Sequence, residues 1–142
     1  MAGERILVVE DNPQNRRLAQ FLLKKHGYVV DEATTGEEAL ELVRDRRPDL
    51  ILMDLQLPGL DGFAITGMLK ADAATKDIPV VAMTAYAMSG DREKALEAGC
   101  GGYITKPLNV QDFPAAVSRY LAALGGRDAR PGREPGNDDV RG

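Results

Sequence analysis

Residues 50–54 read Leu-Ile-Leu-Met-Asp: four apolar side chains in a row, then an acid. A strand covered on one face alternates apolar and polar residues, whereas one covered on both faces is apolar throughout. The same shape recurs on either side. Ile6-Leu7-Val8-Val9 ends on Glu10-Asp11, Ile78 to Met83 ends on Thr84, and the short Tyr103-Ile104-Thr105 ends on Lys106-Pro107. Pro79 predicts a late start for the Ile78 run, because proline has no N–H to give to a sheet. Tyr28-Val29-Val30 adds a further short strand.

Helical signals fill the intervals. Asn12-Pro13 is a cap followed by proline at the first helical position, and His26-Gly27 ends that segment. Within it Leu18, Phe21, Leu22 and Lys25 keep helical spacing. Thr35-Gly36-Glu37-Glu38 is a capping box before the apolar stripe Ala39, Leu40 and Val43, and Arg46-Arg47-Pro48 closes that helix. Pro58-Gly59 is a turn before a helix from Phe63 to Leu69. Ser89 caps a helix ending at Ala98-Gly99, and Asn109 caps one whose stripe is Phe113, Val117, Leu121 and Leu124. Five strands alternating with five helices predict an α/β, doubly wound parallel sheet with helices on both faces. Such sheets bind ligands at the carboxyl ends of their strands.

The chain has 142 residues and a net charge of -4, which fits one domain and argues against a nucleic-acid surface. No run approaches the ~20 apolar residues of a membrane span, and Arg5 with Ile6–Val9 is too short for a signal peptide. The single cysteine, Cys100, has no internal disulfide partner, as suits a cytoplasmic protein. From Gly125 the chain reads GGRDARPGREPGNDDVRG, with only Ala129 and Val140 apolar. Such a stretch cannot offset its ordering entropy by burial, so 125–142 is expected to be a disordered tail or a truncated linker.

The residues after the strands therefore hold the chemistry. If the fold is as expected, Glu10, Asp11, Asp54, Thr84 and Lys106 share one rim. Crowded carboxylates repel and call for a cation, and hard oxygen donors suit Mg²⁺. Mg²⁺ often completes its shell with phosphate oxygens. Lys106 offers a compact positive charge to phosphate, the Thr84 hydroxyl can donate to it, and an Asp54 oxygen can attack phosphorus. Taken singly, the acids could be helix caps or turn residues, Thr84 a strand residue and Lys106 a solvated lysine. Jointly, at four strand ends, they would need four coincidences.

The stretches ILVVEDNPQNR, DLILMDLQLPGLDG, IPVVAMTAYA and GYITKP resemble the response-regulator receiver domain of two-component signalling, over about residues 4–124. The resemblance is strongest to single-domain regulators and hybrid-kinase receivers. It implies a flavodoxin-like (βα)5 fold with strand order 2-1-3-4-5. It also implies that Asp54 is the phosphoacceptor, with Thr84 and Lys106 assisting. Asp11 and Asp54 would ligate Mg²⁺ directly, Gln56 through its backbone carbonyl, and Glu10 mostly through water. The donor would be a phosphohistidine on a histidine kinase or phosphotransfer protein. Thr84 and Tyr103 would form the switch, Pro107 would follow a cis peptide bond, and the fourth helix, fifth strand and fifth helix would form the surface that controls a target protein. Gly101 departs from the Cys-Asp-Gly of many receivers, with an effect expected on the loop or partner surface only.

Other functions fit less well. A haloacid-dehalogenase-like aspartyl phosphatase needs an acid two residues after its nucleophile, where this chain has Gln56. A nucleotide or FMN binder needs a phosphate-cradling loop after the first strand, where Glu10-Asp11-Asn12-Pro13 would repel phosphate. A degenerate receiver, binding partners without phosphorylation, would not need the full acid, hydroxyl and ammonium set. His26, at a helix end where a cation is favoured, is expected to be a helix-capping residue and not a phosphocarrier. Gln56 and Tyr86, two residues past Asp54 and Thr84, do not obviously position water, which predicts a phosphoryl lifetime longer than that of the fastest receivers.

Overall fold

The structure is a computed structural model that describes residues 3–55, 57, 62–84, 89–106 and 108–124, with 89–92 as backbone. Five strands alternate with five helices: β1 (Arg5–Val9), α1 (Pro13–Lys25), β2 (Val29–Ala33), α2 (Gly36–Arg46), β3 (Leu50–Asp54), α3 (Gly62–Ala71), β4 (Val80–Thr84), α4 (Ser89–Ala98), β5 (Gly102–Thr105) and α5 (Asp112–Leu124). Every strand pairing is parallel. The strands stand in the order β2-β1-β3-β4-β5, the expected flavodoxin-like arrangement.

The two faces carry separate cores, which is why the strand runs are apolar throughout. Leu7, Ile51, Met53, Val80 and Ala82 meet Ala39, Val43, Ile65, Leu69 and Ala95 of α2, α3 and α4. Ile6, Val8, Leu50, Leu52, Val81 and Met83 meet Ala19, Leu22 and Leu23 of α1 and Phe113, Val117 and Leu121 of α5. β4 begins at Val80, one residue past Pro79. No helix among the described residues is long and apolar enough to cross a membrane.

Helix ends follow the capping chemistry in the sequence. The Asn12 side chain accepts from Asn15 N–H, and His26 caps α1 with its ring Nδ1 3.0 Å from the Leu22 carbonyl. Asn109 Oδ1 accepts from both Gln111 and Asp112 N–H at 2.9 Å, so it caps α5 although the regular helix starts later. The box at α2 is displaced. Thr35 Oγ1 accepts from Glu38 N–H at 3.1 Å, but Glu38 Oε1 reaches back to Thr34 N–H at 2.7 Å, one residue before the cap. The expected Pro58-Gly59 turn, the Ser89 cap, the Pro107 peptide and the 125–142 tail lie outside the described residues or side chains.

One side chain leaves the apolar face of its helix, and two expectations change. Phe21 is 61% exposed, because α1 presents Ala19, Leu22 and Leu23 to the sheet and Phe21 lies beyond that stripe. β2 runs on past Val30 through Asp31 and Glu32. Their charges are met by Arg5 at 2.8 Å from Asp31 and Arg16 at 3.3 Å from Glu32, so acids are tolerated in an edge strand. Gly101 is more than a loop position: a Cβ there would lie 2.6 Å from Leu124 Cδ1, so its lack of a side chain admits the end of α5. Gly102 does the same for the Tyr120 ring, whose hydroxyl donates to the Tyr103 carbonyl at 3.2 Å.

Candidate functional site

β1 pairs with β2 on one side and with β3 on the other, so the chain reverses its direction of winding beside β1. The crevice of a doubly wound sheet opens there, outside the carboxyl ends of the strands. Glu10 and Asp11 follow β1, Asp54 ends β3, Thr84 ends β4 and Lys106 follows β5. Carboxylate oxygens of Glu10, Asp11 and Asp54 all lie within 4.8 Å of one another. Glu10, Asp54 and Thr84 are buried, and Asp11 is exposed.

Lys106 lies between two of the acids. Its Nζ is 3.0 Å from Glu10 Oε1 and 3.4 Å from Asp54 Oδ1, with only a tenth of the side chain exposed. Its backbone N–H donates to the Thr84 carbonyl at 2.8 Å, continuing the β4–β5 ladder by one residue. Glu10 N–H donates to the Ala33 carbonyl at 3.0 Å, and Glu10 Oε2 accepts from Asn12 N–H at 3.2 Å. Burial pushes the Glu10 carboxyl up to about 7, the hydrogen bond and like charge of Asp54 push the same way, and Lys106 opposes them.

The donor set fits a hard divalent cation. Three carboxylates converge and Lys106 supplies a single positive charge against them. Burial first, and then the neighbouring Asp54, drive Glu10 toward its neutral form. Oxygen-only donors with one exposed member suit Mg²⁺, which keeps part of its water shell. Gln56 lies outside the described residues.

Tyr103 is half-buried against the core on the α2, α3 and α4 side. It pairs in register with Ala82, while Thr84 pairs with Thr105. Side chains two apart on a strand share a face, so Thr84 and Tyr103 lie on the same side of the sheet.

Two neighbours of the site were not singled out from sequence. Gly62 opens α3 directly against β3: a Cβ there would lie 2.3 Å from the Asp54 carbonyl oxygen and 2.9 Å from Leu55 Cα. A glycine at a helix start, where it is a poor helix former, was the available signal. Arg16 donates from Nη1 to the Glu10 carbonyl at 3.1 Å and to the Asp11 carbonyl at 3.4 Å. A side chain bonding to backbone leaves no pattern in a sequence.

A parallel α/β sheet with an acid-lined crevice and a lysine at its switch point defines a flavodoxin-like domain. The chain belongs to the response regulator receiver domain family, which it matches over residues 6–118. It is a receiver of two-component signalling, as the sequence motifs implied. It is 45% identical over 116 residues to the polar-differentiation response regulator DivK of Brucella anthropi, covering 82% of this chain and 94% of that one. Among solved structures, it is 38% identical to the receiver domain of a sensor histidine kinase from Pseudomonas aeruginosa, with TM-score 0.76 and coverage of 88% and 99%. That protein was crystallised with a magnesium ion coordinated in its active-site cleft. A putative response regulator from Chloroflexus aurantiacus is 30% identical, with TM-score 0.81 and coverage of 84% and 98%.

Proposed function

We propose that this receiver is a phosphoacceptor switch in which Asp54 takes a phosphoryl group from a histidine kinase or a histidine phosphotransfer protein. The observation that supports this most is the Lys106 ammonium between Glu10 and Asp54, inside a cluster of three carboxylates. Glu10, Asp11 and Asp54 would hold Mg²⁺, with the Gln56 carbonyl as a further ligand. Bound Mg²⁺ supplies positive charge that polarises phosphoryl oxygens.

One Asp54 carboxylate oxygen attacks phosphorus as the bond to the donor imidazole nitrogen breaks, and the imidazole keeps the electron pair. The product is an acyl phosphate on Asp54. Lys106 stabilises charge on the transferring group and holds it in line. The Thr84 hydroxyl donates to a phosphoryl oxygen and biases the segment after β4, while Tyr103 turns inward to fill the space. These coupled moves change the α4-β5-α5 surface, which controls a target protein.

The chain is a signalling protein and not an enzyme with an external substrate; residues 4–124 form its working unit and it acts in the cytoplasm. With Gln56 and Tyr86 at the two positions that follow Asp54 and Thr84 by two residues, the phosphoryl group outlasts that of the fastest receivers. Incubation with Mg²⁺ and acetyl phosphate, followed by intact mass, tests the reading. One added phosphoryl group is expected in the wild type and none in Asp54→Ala. Absence of the adduct from both, with Mg²⁺ binding intact, would leave a degenerate receiver that works by contact alone.

A further inference from the structure

We infer that Arg16 is a positioning residue for the acidic pair, holding the backbone of Glu10 and Asp11 so that the exposed Asp11 carboxylate faces the cation. The inference rests on the Mg²⁺ reading of the site.

The three acids are not equally restrained. Glu10 and Asp54 are buried and both lie against Lys106. Asp11 is exposed, and its carboxylate has no hydrogen bond or ion pair among the described residues. The backbone that carries it therefore fixes where its Cα–Cβ bond starts and points, and so which rotamers can reach the site. That backbone leaves β1 and must turn into α1 within three residues, 10–12. Both peptide carbonyls before Asn12 point at one guanidinium: Arg16 Nη1 is 3.1 Å from the Glu10 carbonyl oxygen and 3.4 Å from that of Asp11.

The same guanidinium is anchored on its other edge. Arg16 Nε lies 3.3 Å from Glu32 Oε1, and Glu32 sits in β2 in register with Val8 of β1. Arg16 thus ties the loop after β1 to the neighbouring strand. Its planar fork serves two carbonyls and a carboxylate at once, which a lysine ammonium cannot reproduce with the same directionality.

A surface ion pair with Glu32 would be the simpler role, and it predicts little effect on metal binding. Charge alone predicts the opposite sign. A cation beside a Mg²⁺ site repels the ion, so removing it should tighten binding. Positioning predicts weaker binding when the cation is removed, and weaker binding in Arg16→Lys, where charge is kept.

The test is Mg²⁺ titration of the full chain, followed by amide NMR shifts, for wild type, Arg16→Met, Arg16→Lys and Asp11→Asn. All are read far below their melting midpoints, so a general loss of stability does not enter the dissociation constant. We expect both Arg16 variants to bind Mg²⁺ about tenfold more weakly, the low end of what outer-shell partners of metal ligands contribute. Unchanged or tighter binding in Arg16→Met overturns the inference, even if its midpoint falls. Full recovery in Arg16→Lys overturns the assignment to the fork. Failure of the wild type to bind Mg²⁺ at all would sink the site reading itself, a different result from wild-type binding with indifferent variants.

Discussion

At Glu10, burial and the neighbouring Asp54 both disfavour the charged carboxylate, and the Lys106 ammonium at 3.0 Å only partly offsets them. The folded-state value near 7 lies above the ordinary 4.5, so the unfolded chain gives up the proton first. The resulting penalty is absent below about pH 4.5, grows up to about 7 and is constant above. Glu10→Gln removes it. Without Mg²⁺, the variant should melt higher than the wild type at pH 7.5, by roughly 5 °C, and the gap should close as pH falls toward 4.5. Parallel midpoint-against-pH curves for the two proteins would contradict the shifted carboxyl. Arg16 belongs to the same scale: its proposed effect acts through two backbone carbonyls and would be invisible to any inspection of charges alone.

Elements meet here through missing side chains. α3 approaches the end of β3 so closely that a methyl group on Gly62 would overlap the Asp54 carbonyl oxygen. Both partners are backbone, so neither can swing aside. Gly62→Ala should cost roughly 1–3 kcal/mol, as overpacking does, and should displace Asp54 from Lys106. Thermal melting and the acetyl phosphate assay check the two effects separately, and a variant with wild-type midpoint and full phosphorylation would refute the tight contact. At β5 and α5 the obstruction is softer, because Gly101 and Gly102 face the side chains of Leu124 and Tyr120. The Tyr120 hydroxyl on the Tyr103 carbonyl then joins α5 to the strand that carries the proposed aromatic switch.

For the molecule as a whole, a ligand that binds only the folded state raises stability by mass action. Mg²⁺ at ten times its dissociation constant should add about 1.4 kcal/mol, seen as a rise of about 3–5 °C in the midpoint. Asp54→Asn and Asp11→Asn should lose most of that rise. An equal rise in all three proteins would mean that the ion acts elsewhere than at the three carboxylates. The two cores bear on this scale too, since β1, β3 and β4 are packed on both faces of the sheet.

The sequence by itself determined the elements and the chemical inventory. Apolar runs, Asn12-Pro13, Thr35, Pro79 and Asn109 act within a few residues of themselves, so strands, caps and strand-end acids could be read without a fold. Edges and facings could not. Phe21 and Leu22 both keep helical spacing with Leu18, but only the docking of α1 on the sheet turns Leu22 and Leu23 inward and leaves Phe21 outside. Asp31 and Glu32 look like loop residues until Arg5 and Arg16 are brought beside them. Lys106 and Glu10 are 96 residues apart in the chain and 3.0 Å apart in space. Contacts at that range depend on strand order and on how closely the layers approach. The tertiary structure alone therefore decided the raised Glu10 carboxyl, the need for Gly62 and the grip of Arg16 on the loop after β1.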